Sequence, residues 1–329
     1  MRILFIGGTS FVGRHMAEAA VARGHDVTLF HRGKTGIDLF PEAEHVLGDR
    51  DTDLSALGGQ KWDAAIDVSG YVPRQVRASA GVLAEAVELY CYISSASAYR
   101  PSGADVVRED SPLFGEEDLE DPGTEVVDDQ TYGPLEVLCE REAEAGFPGR
   151  ALVVRPTYVV GPHDPTDRFT YWVRRAALGD EILVPGPPEA PAQLIDARDL
   201  GRFTIGLVEH GETGPFNGVG PAQPITFAEM VAECLDAVGR ESMLVWADPA
   251  RLRSLGVEIE SELPFWHEPA DYEVCRCDPS KSIAAGLRFR PMLETIRDTL
   301  EWDRERGIPP LRGTITSARE RELLNALGF

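Results

Sequence analysis

The sequence predicts an α/β fold: a doubly wound parallel sheet with helices on both faces, followed by a smaller mixed α/β domain. Three observations predict it. The chain opens with a buried strand, a glycine turn and a helix; strand and helix patterns alternate as far as Arg155; and beyond Pro156 prolines cluster among short strands. Such alternation is typical of parallel sheets covered on both faces. We therefore predict two domains. The first covers residues 1–155, and some of its elements continue beyond residue 155. Residues 156–329 belong mostly to the second domain.

The first elements form one βαβ unit. Arg2–Ile6 is an apolar strand, Phe11–Arg23 has apolar residues at helical spacing, and Val27–Phe30 is a second strand. The unit spans about 30 residues and is expected to cross over with a right hand.

The remaining elements continue the alternation. The predicted strands are His45–Leu47, Ala64–Val68, Leu89–Ser94, Ala151–Val154 and Ile182–Val184, and the predicted helices are Arg74–Val87, Tyr132–Ala145, Phe227–Val238 and Leu293–Arg306. Between them, Arg108–Asp129 holds ten acidic residues. This segment is either a solvated loop or a flap beside an active site, because it leads directly into Tyr132.

Composition excludes several classes of protein. The formal net charge of −23 disfavours binding to nucleic acid or to anionic membranes. The five cysteines are scattered without zinc-ligand spacing, so we expect no metal site and reduced thiols in a cytoplasmic protein. Alternation on a strand explains the close pair Cys275 and Cys277 better than metal binding does. We find no signal peptide and no apolar run of about 18 residues, so we expect no membrane association.

The turn after the first strand fits a dinucleotide. Glycines at 7 and 13 let the backbone approach a pyrophosphate, and the next helix presents its amide groups to it. Glycine turns are common for conformational reasons alone, but this one lies between a predicted strand and a predicted helix. The sequence therefore predicts a Rossmann-type NAD(P)-binding unit whose turn contacts the cofactor through Gly7, Thr9, Ser10, Phe11, Val12 and Gly13.

The end of the second strand indicates which cofactor is bound. NAD-binding proteins place a carboxylate there for the ribose hydroxyls, whereas NADP-binding proteins place cations for the 2′-phosphate. Here the strand runs into His31 and Arg32, with no carboxylate, and arginine suits a phosphate. We predict NADP(H) in preference to NAD(H), with His31 and Arg32 at the cofactor. The alternative is that Arg32 is only a solvated turn residue.

These motifs resemble the extended (atypical) short-chain dehydrogenase/reductase family, the NAD(P)-dependent epimerase/dehydratase group, over most of the chain. The turn, with Ser10 in place of a central glycine, is similar to the GGTxFxG subgroup, which includes bacterial reductase-like proteins and chloroplast stem-loop-binding proteins. The resemblance implies a catalytic hydroxyl at Ser95, in the segment 94–99, and a nicotinamide-side segment over 155–162. It also implies further cofactor contacts from Asp49, Arg50, Val68, Ser69, Gly70, Ser94, Tyr132, Pro156 and Tyr158.

One catalytic position departs from the family pattern. The family has YxxxK on a helix, whereas this chain has Tyr132 followed by Glu136. Residues four apart share a helix face, so Glu136 takes the place of the lysine that lowers the tyrosine pKa. An unperturbed tyrosine titrates near about 10, and a neighbouring carboxylate pushes its pKa upward. We expect general-base strength to fall, cofactor binding to survive, any activity to be reductive and modest, and Glu136→Lys to raise turnover.

Polar residues beyond the nicotinamide-side segment are candidates for substrate binding. Arg168 is placed to bind an anionic or polar group of the substrate, and the alternative is an ion-paired start of a helix. His163 is placed to act as the missing base, and the alternative is a purely structural histidine. Gln193 and Arg198 belong to a second polar cluster, where a structural Arg–Asp pair is equally open. Trp266 and His267 either edge the pocket or pack in the core.

Two functions follow from these observations. The first is an NADP(H)-binding protein that is reductase-like or epimerase/dehydratase-like, with a small-molecule substrate and a weakened YxxxE motif. The second is a catalytically impaired NAD(P)-binding sensor or scaffold. RNA binding is disfavoured by the charge, and the sequence leaves both the substrate and the oligomeric state undetermined.

Overall fold

The computed structural model describes residues 1–329, with every side chain except that of residue 260. Its strands are β1 (Arg2–Ile6), β2 (Asp26–His31), β3 (Glu44–Leu47), β4 (Trp62–Asp67), β5 (Val87–Ile93), β6 (Ala151–Pro156), β7 (Tyr158–Val160), β8 (Asp180–Pro185), β9 (Pro191–Ala192), β10 (Leu194–Asp196), β11 (Gly214–Gly218), β12 (Ile225–Thr226) and β13 (Ser242–Ala247). Its α-helices are α1 (Phe11–Ala22), α2 (Pro73–Leu83), α3 (Tyr132–Gly146), α4 (Arg168–Leu178), α5 (Ala197–His210), α6 (Phe227–Val238), α7 (Pro249–Ser254), α8 (Ile259–Glu262), α9 (Ser280–Ala284), α10 (Met292–Glu305) and α11 (Ser317–Leu327).

The centre of the molecule is a seven-stranded parallel sheet with the order β11-β6-β5-β4-β1-β2-β3. In β1, which lies between β4 and β2, Ile3 lies opposite Val27 on one side and Ala64 on the other. The strand order reverses at β1, and ligands of doubly wound sheets bind where this reversal leaves a crevice at the carboxyl ends of the strands. The predicted α/β class with a parallel sheet is confirmed.

Helices cover both faces of this sheet because its strands are apolar on both sides. Helices α1 and α5 pack together on one face, and α2 and α3 pack together on the other. The first face buries Phe5 and Met16, and the second buries Tyr90 with its ring stacked on Phe147.

The second domain has its own apolar core and mixed structure. Its pairs β8–β13, β7–β10 and β9–β12 are small two-stranded sheets. Helices α4, α6 and α10 pack against one another, with Trp172 and Phe227 in edge-to-face contact at 5.2 Å between ring centroids. However, α5 and β11 return to the first domain, where β11 forms the edge of the large sheet beside β6.

Two local predictions are wrong. The helix expected over Arg74–Val87 ends at Leu83, because Ala86 closes a turn onto the Leu83 carbonyl and Val87 then pairs with Trp62 as the start of β5. The expected strand through Cys275 and Cys277 is absent. Cys275 ends a 3-10 helix, and Cys277 makes one isolated bridge, with Val107, although both thiols are free and buried.

Candidate active site

A cleft of about 1620 Å³ lies at the carboxyl ends of the central strands. Its walls come from the turn after β1, the ends of β2, β4, β5 and β6, the start of α3, and the second domain. All the predicted cofactor residues line it: Gly7, Thr9, Ser10, Phe11, Val12, Gly13, His31, Arg32, Asp49, Arg50, Val68, Ser69, Gly70, Ser94, Tyr132, Pro156 and Tyr158.

The glycine turn approaches the next strand too closely for side chains. A Cβ atom at Gly7 or Gly13 would lie 2.6 or 2.8 Å from a methyl group of Val68, and Gly7 has a φ of +108°. Ser10 has a φ of −139°, an extended conformation open to any residue, so serine replaces glycine there without backbone strain. The glycines at 7 and 13 are therefore explained by the packing of the turn against Val68, directly after β4.

The loop after β2 is fixed by a pair of histidines. The Gly33 amide donates to His31 Nδ1 at 3.0 Å, so His31 Nε2 carries the proton that faces His45 Nδ1 at 2.8 Å. Burial and His45 lower the pKa of His31. The exposed side chains of Arg32 and Lys34 follow on the cleft wall.

Arg50 lines the cleft with most of its donors already engaged. Its guanidinium makes a bidentate ion pair with Asp67, at 2.6 and 2.8 Å, and also donates to the hydroxyls of Ser69 and Ser79. Asp67 also accepts from the Tyr90 hydroxyl at 2.6 Å. Arg50 therefore joins Asp67, Ser69 and Ser79 at the base of the cleft. The Ser69 hydroxyl also donates to the backbone carbonyl of Ile6 at the end of β1.

Ser95 and Tyr132 meet because α3 starts directly against the backbone after β5. A Cβ atom at Gly133 would lie 2.2 Å from the Ser97 carbonyl oxygen, so only glycine permits this approach. The Ser95 hydroxyl and the Glu136 carboxyl group both lie beside the Tyr132 phenol, near enough to act on its pKa as hydrogen-bond partners. Burial and the carboxyl of Glu136 raise the pKa of Tyr132, while the Ser95 hydrogen bond lowers it.

Glu136 lies one helical turn beyond Tyr132 and points into the protein. Its side chain is 2 % exposed, and its Oε2 atom is 2.7 Å from the Tyr92 hydroxyl on β5. That hydroxyl is also 2.7 Å from the carbonyl oxygen of Gly70. Burial is the largest influence on the carboxyl group, and it raises the pKa of Glu136 to about 8.

A second buried carboxylate, Glu140, follows one turn later and is fully paired. It accepts from Ser94 at 2.5 Å and from two nitrogens of Arg155 at 2.8 and 2.6 Å. Arg155 in turn contacts the Tyr99 hydroxyl at 3.1 Å. The Ser94 hydroxyl, which was predicted to contact the cofactor, is therefore hydrogen-bonded to Glu140 beneath the cleft. Sequence reasoning missed Tyr92 and Glu140, although the i, i+4 spacing of Glu136 and Glu140 was a visible signal.

The second domain contributes aromatic and cationic groups to the cleft. The Arg168 guanidinium lies 4.8 Å from the Tyr158 ring centroid, and His267 stacks on the same ring at 5.4 Å. Burial and the charge of Arg168 lower the pKa of His267 to about 4, so this imidazole is neutral. Trp266 lines the cleft too. Among the described side chains, the buried Thr157 Oγ1 and His267 Nε2 have no hydrogen-bond partner.

Three predicted substrate residues lie elsewhere. His163 lines a separate pocket of about 320 Å³, 3.3 Å from Arg14, and burial lowers its pKa to about 4. The Gln193 amide exchanges hydrogen bonds with the backbone of Cys277 at 2.8 and 3.1 Å. Arg198 pairs with Asp196 at 2.7 Å and with Asp298, which is the structural arrangement that the sequence left open. The structure does not bring these three residues to Tyr132.

The acidic segment reaches the cleft at Phe114 and at its end. Val127, Asp128, Asp129 and Gln130 line the wall beside Tyr132, and Glu125 pairs with Arg74 at 2.7 Å. The flap hypothesis stays a prediction.

Within the described part of the chain, no three His, Cys, Asp or Glu side chains converge as a metal site. None of the helices there has the length and apolarity needed to cross a bilayer.

Comparison with known proteins identifies the origin of this architecture. Residues 3–219 match the model of the NAD dependent epimerase/dehydratase family. The chloroplast stem-loop binding protein of 41 kDa b from Arabidopsis thaliana is 27% identical over 256 residues, which cover 72% of this chain and 63% of that protein. The epimerase family protein SDR39U1 from Bos taurus is 27% identical, covering 88% of this chain and 95% of the relative.

A solved structure shows the same fold. The Bordetella bronchiseptica enzyme WbmH, determined in complex with NAD+, superposes with a TM-score of 0.69 at 19% identity, covering 93% of this chain and 99% of that one.

Proposed function

This chain belongs to the NAD dependent epimerase/dehydratase family, and from that premise we propose that it binds NADP(H) and reduces a carbonyl group of a small-molecule substrate. The observation that carries the proposal is the contact of Ser95, Tyr132 and Glu136 in one wall of the cleft. A serine beside a protonated tyrosine is the arrangement needed to orient a carbonyl and give it a proton.

The residues of the cleft fit a dinucleotide. The turn over Gly7–Gly13 and the start of α1 would hold the pyrophosphate, Val68 to Gly70 would border a ribose, and Pro156 and Tyr158 would border the nicotinamide. The reduced nicotinamide, when bound, supplies the hydride. The protein supplies orientation, exclusion of water and the proton.

The direction of the reaction follows from the proton on Tyr132. A tyrosine whose pKa is raised stays protonated at neutral pH, and reduction needs an acid, whereas oxidation and epimerisation begin by removing a proton. We therefore favour reduction over epimerase- or dehydratase-like chemistry.

The NADP preference rests on Arg32 and Lys34. Both are exposed on the cleft wall where the second strand ends, and no ion pair to either is present among the described residues. Two unpaired cations in a chain of net charge −23 suit a 2′-phosphate.

Reduction is tested by oxidation of NADPH with a panel of ketones and aldehydes, including sugar nucleotide derivatives. Tyr132→Phe is expected to lower kcat by about a hundredfold or more, with NADPH binding unchanged. If wild type and Tyr132→Phe oxidise NADPH equally slowly with every compound of the panel, the proposal is contradicted.

A sensor or scaffold without turnover is the second candidate, and the absence of the motif lysine is the observation that favours it. Glu136→Lys discriminates the two. If the site is catalytic, a cation beside Tyr132 should raise turnover on a substrate that wild type already reduces. An unchanged rate would contradict an influence of residue 136 on catalysis, whereas a wild type that reduces nothing in the panel would favour the sensor or scaffold.

A further inference from the structure

The hydrogen bonds of Tyr92 show where a proton lies. Its hydroxyl has one proton and two close oxygens, the Gly70 carbonyl and Glu136 Oε2, both at 2.7 Å. One proton cannot serve both contacts, and the Gly70 carbonyl can only accept, so we assign the Tyr92 proton to Gly70. The short contact to Glu136 is then a hydrogen bond only if Glu136 carries a proton and donates it. If Glu136 were ionised, the Tyr92 proton could serve only one of these two contacts. At the other contact, two oxygen atoms would lie 2.7 Å apart with no hydrogen between them.

The surroundings of Glu136 favour the neutral acid. Salt bridges to Glu136 are absent among the described side chains, since the nearby cations are used elsewhere: Arg155 pairs with Glu140, and Arg50 pairs with Asp67. The titratable and charged groups that face it, from α3, β5, β4 and the loops beside them, are Tyr132, Cys139, Glu140, Tyr92, Tyr71, Asp67 and Arg50. With Glu140 as the neighbouring carboxylate, a second buried negative charge would be unfavourable.

The donors then form a single directed chain. The Ser97 amide donates to Ser95 Oγ at 3.1 Å, and the Ser95 hydroxyl donates to Tyr132. Tyr132 donates to Glu136. The acid proton of Glu136 goes to Tyr92, and Tyr92 ends the chain at the Gly70 carbonyl. The Ser97 amide begins the chain and the Gly70 carbonyl ends it, while the Ser94 hydroxyl also reaches Glu136 and the Cys139 thiol also reaches Tyr92.

We propose that Glu136 is a neutral carboxylic acid that returns a proton to Tyr132 after Tyr132 has protonated the substrate. The catalytic half of this inference rests on the proposed function. As the carbonyl carbon gains hydride from the reduced nicotinamide, which is oxidised, the Tyr132 O–H bond breaks and the substrate O–H bond forms. The carboxyl group of Glu136 then turns its acid proton from Tyr92 to Tyr132, the Glu136 O–H bond breaks and the Tyr132 O–H bond re-forms. The negative charge ends on Glu136, where the Tyr92 hydroxyl can turn to donate to it.

This relay explains how a glutamate serves where a lysine is usual. A lysine stabilises the phenolate by its charge, whereas the acid removes the phenolate by giving it a proton. The charge then rests on a carboxylate, which holds it more easily than a phenol does. Glu136 is thus a positioning and proton-supplying residue that acts through Tyr132.

Infrared difference spectroscopy of the folded protein at pH 7 tests the position of the proton without any substrate. The difference spectrum of wild type minus Glu136→Gln should contain the carbonyl stretching band of a protonated carboxyl group. In Tyr92→Phe this band should shift, because the acid loses the hydroxyl oxygen that accepts its hydrogen bond. Glu142→Gln, a surface change on the same helix, should leave the band unchanged. Absence of a protonated band assignable to Glu136 would overturn the proposal.

Kinetics test the relay. Glu136→Gln preserves the shape and the donor of the neutral acid but cannot release a proton, so kcat should fall about tenfold or more while the dissociation constant of NADPH stays within about twofold. Unchanged kcat in Glu136→Gln would overturn the relay. If no variant reduces any substrate, the proposed function and the relay that rests on it both fail, while the infrared band still decides whether Glu136 is protonated.

Discussion

At the scale of single residues, the protein places an acid where its family places a base. Glu136 is buried beside Tyr132 and Tyr92, and burial raises its pKa to about 8. In the unfolded chain a glutamate titrates near about 4.3. Between these values the folded state holds a proton that the unfolded state has lost, so folding stability falls as pH rises.

Comparison of wild type with Glu136→Gln isolates this effect, because glutamine does not titrate. The stability contributed by Glu136 should be fully present below about pH 4 and be lost, by about 1.4 kcal/mol per pH unit at most, as pH rises to about 8. Urea unfolding of both proteins from pH 5 to pH 9 measures it. The advantage of Glu136→Gln should grow with pH and then level off; a difference independent of pH would show that Glu136 titrates normally.

Arg32 is the second residue with a separable role. Arg32→Glu should weaken NADPH binding by about tenfold or more, equivalent to about 1.4 kcal/mol, because it places a carboxylate at the expected 2′-phosphate. NADH binding should change little. Calorimetric titration with both cofactors measures this, and Arg321→Glu, an exposed change on α11 with the same effect on net charge, is the control. Equal losses for NADPH and NADH would contradict the assignment.

At the scale of elements, the start of α3 decides whether the site exists. Tyr132 is the first residue of that helix, and Gly133 lets it lie against the Ser97 carbonyl, where a Cβ atom would be 2.2 Å away. The backbone of Ser97 is fixed in turn by the Ser95 side chain, which accepts from its amide.

Gly133→Ala should therefore separate Tyr132 from Ser95. Alanine favours a helix by up to about 1 kcal/mol over glycine, but the clash with a backbone oxygen outweighs this, and we expect a net loss of about 1–3 kcal/mol with a large loss of any activity. Gly81→Ala on α2, where a Cβ atom meets nothing within 4 Å, is the matched control and should stabilise the protein. Thermal unfolding of the two variants measures both changes, and equal behaviour would contradict the packing argument.

At the scale of the whole molecule, one cleft is bordered by the large sheet and by the segment beyond Pro156. The cleft has walls from the large sheet and from the second domain, so a ligand that fills it binds only the folded chain. At a hundred times its dissociation constant such a ligand adds about 2.7 kcal/mol to the free energy of unfolding.

NADPH should consequently raise Tm by several degrees and should do so at a lower concentration than NADH. Thermal scans over a series of concentrations of each cofactor give the order of affinity, with adenosine as a control for the shared base. A larger shift with NADH at every concentration would contradict the NADP preference.

The sequence was informative wherever one segment determines its own structure. The first strand, its glycine turn and the helix over Phe11–Ala22 could be predicted because periodicity and glycine conformation are local properties. The helix predicted over Arg74–Val87 was less accurate because its end depends on the pairing of Val87 with Trp62, a residue distant in the chain. The return of β11 to the large sheet has the same non-local origin.

The sequence by itself determined the parallel α/β architecture, the dinucleotide-type turn and the glutamate at position 136. Only the tertiary structure decided the state of that glutamate. Its partner Tyr92 lies 44 residues earlier in the chain, and the cations that might have neutralised it are bound to Glu140 and Asp67. The proton on a carboxyl group depends on its burial and on which groups surround it, and these are set by the packing of distant segments.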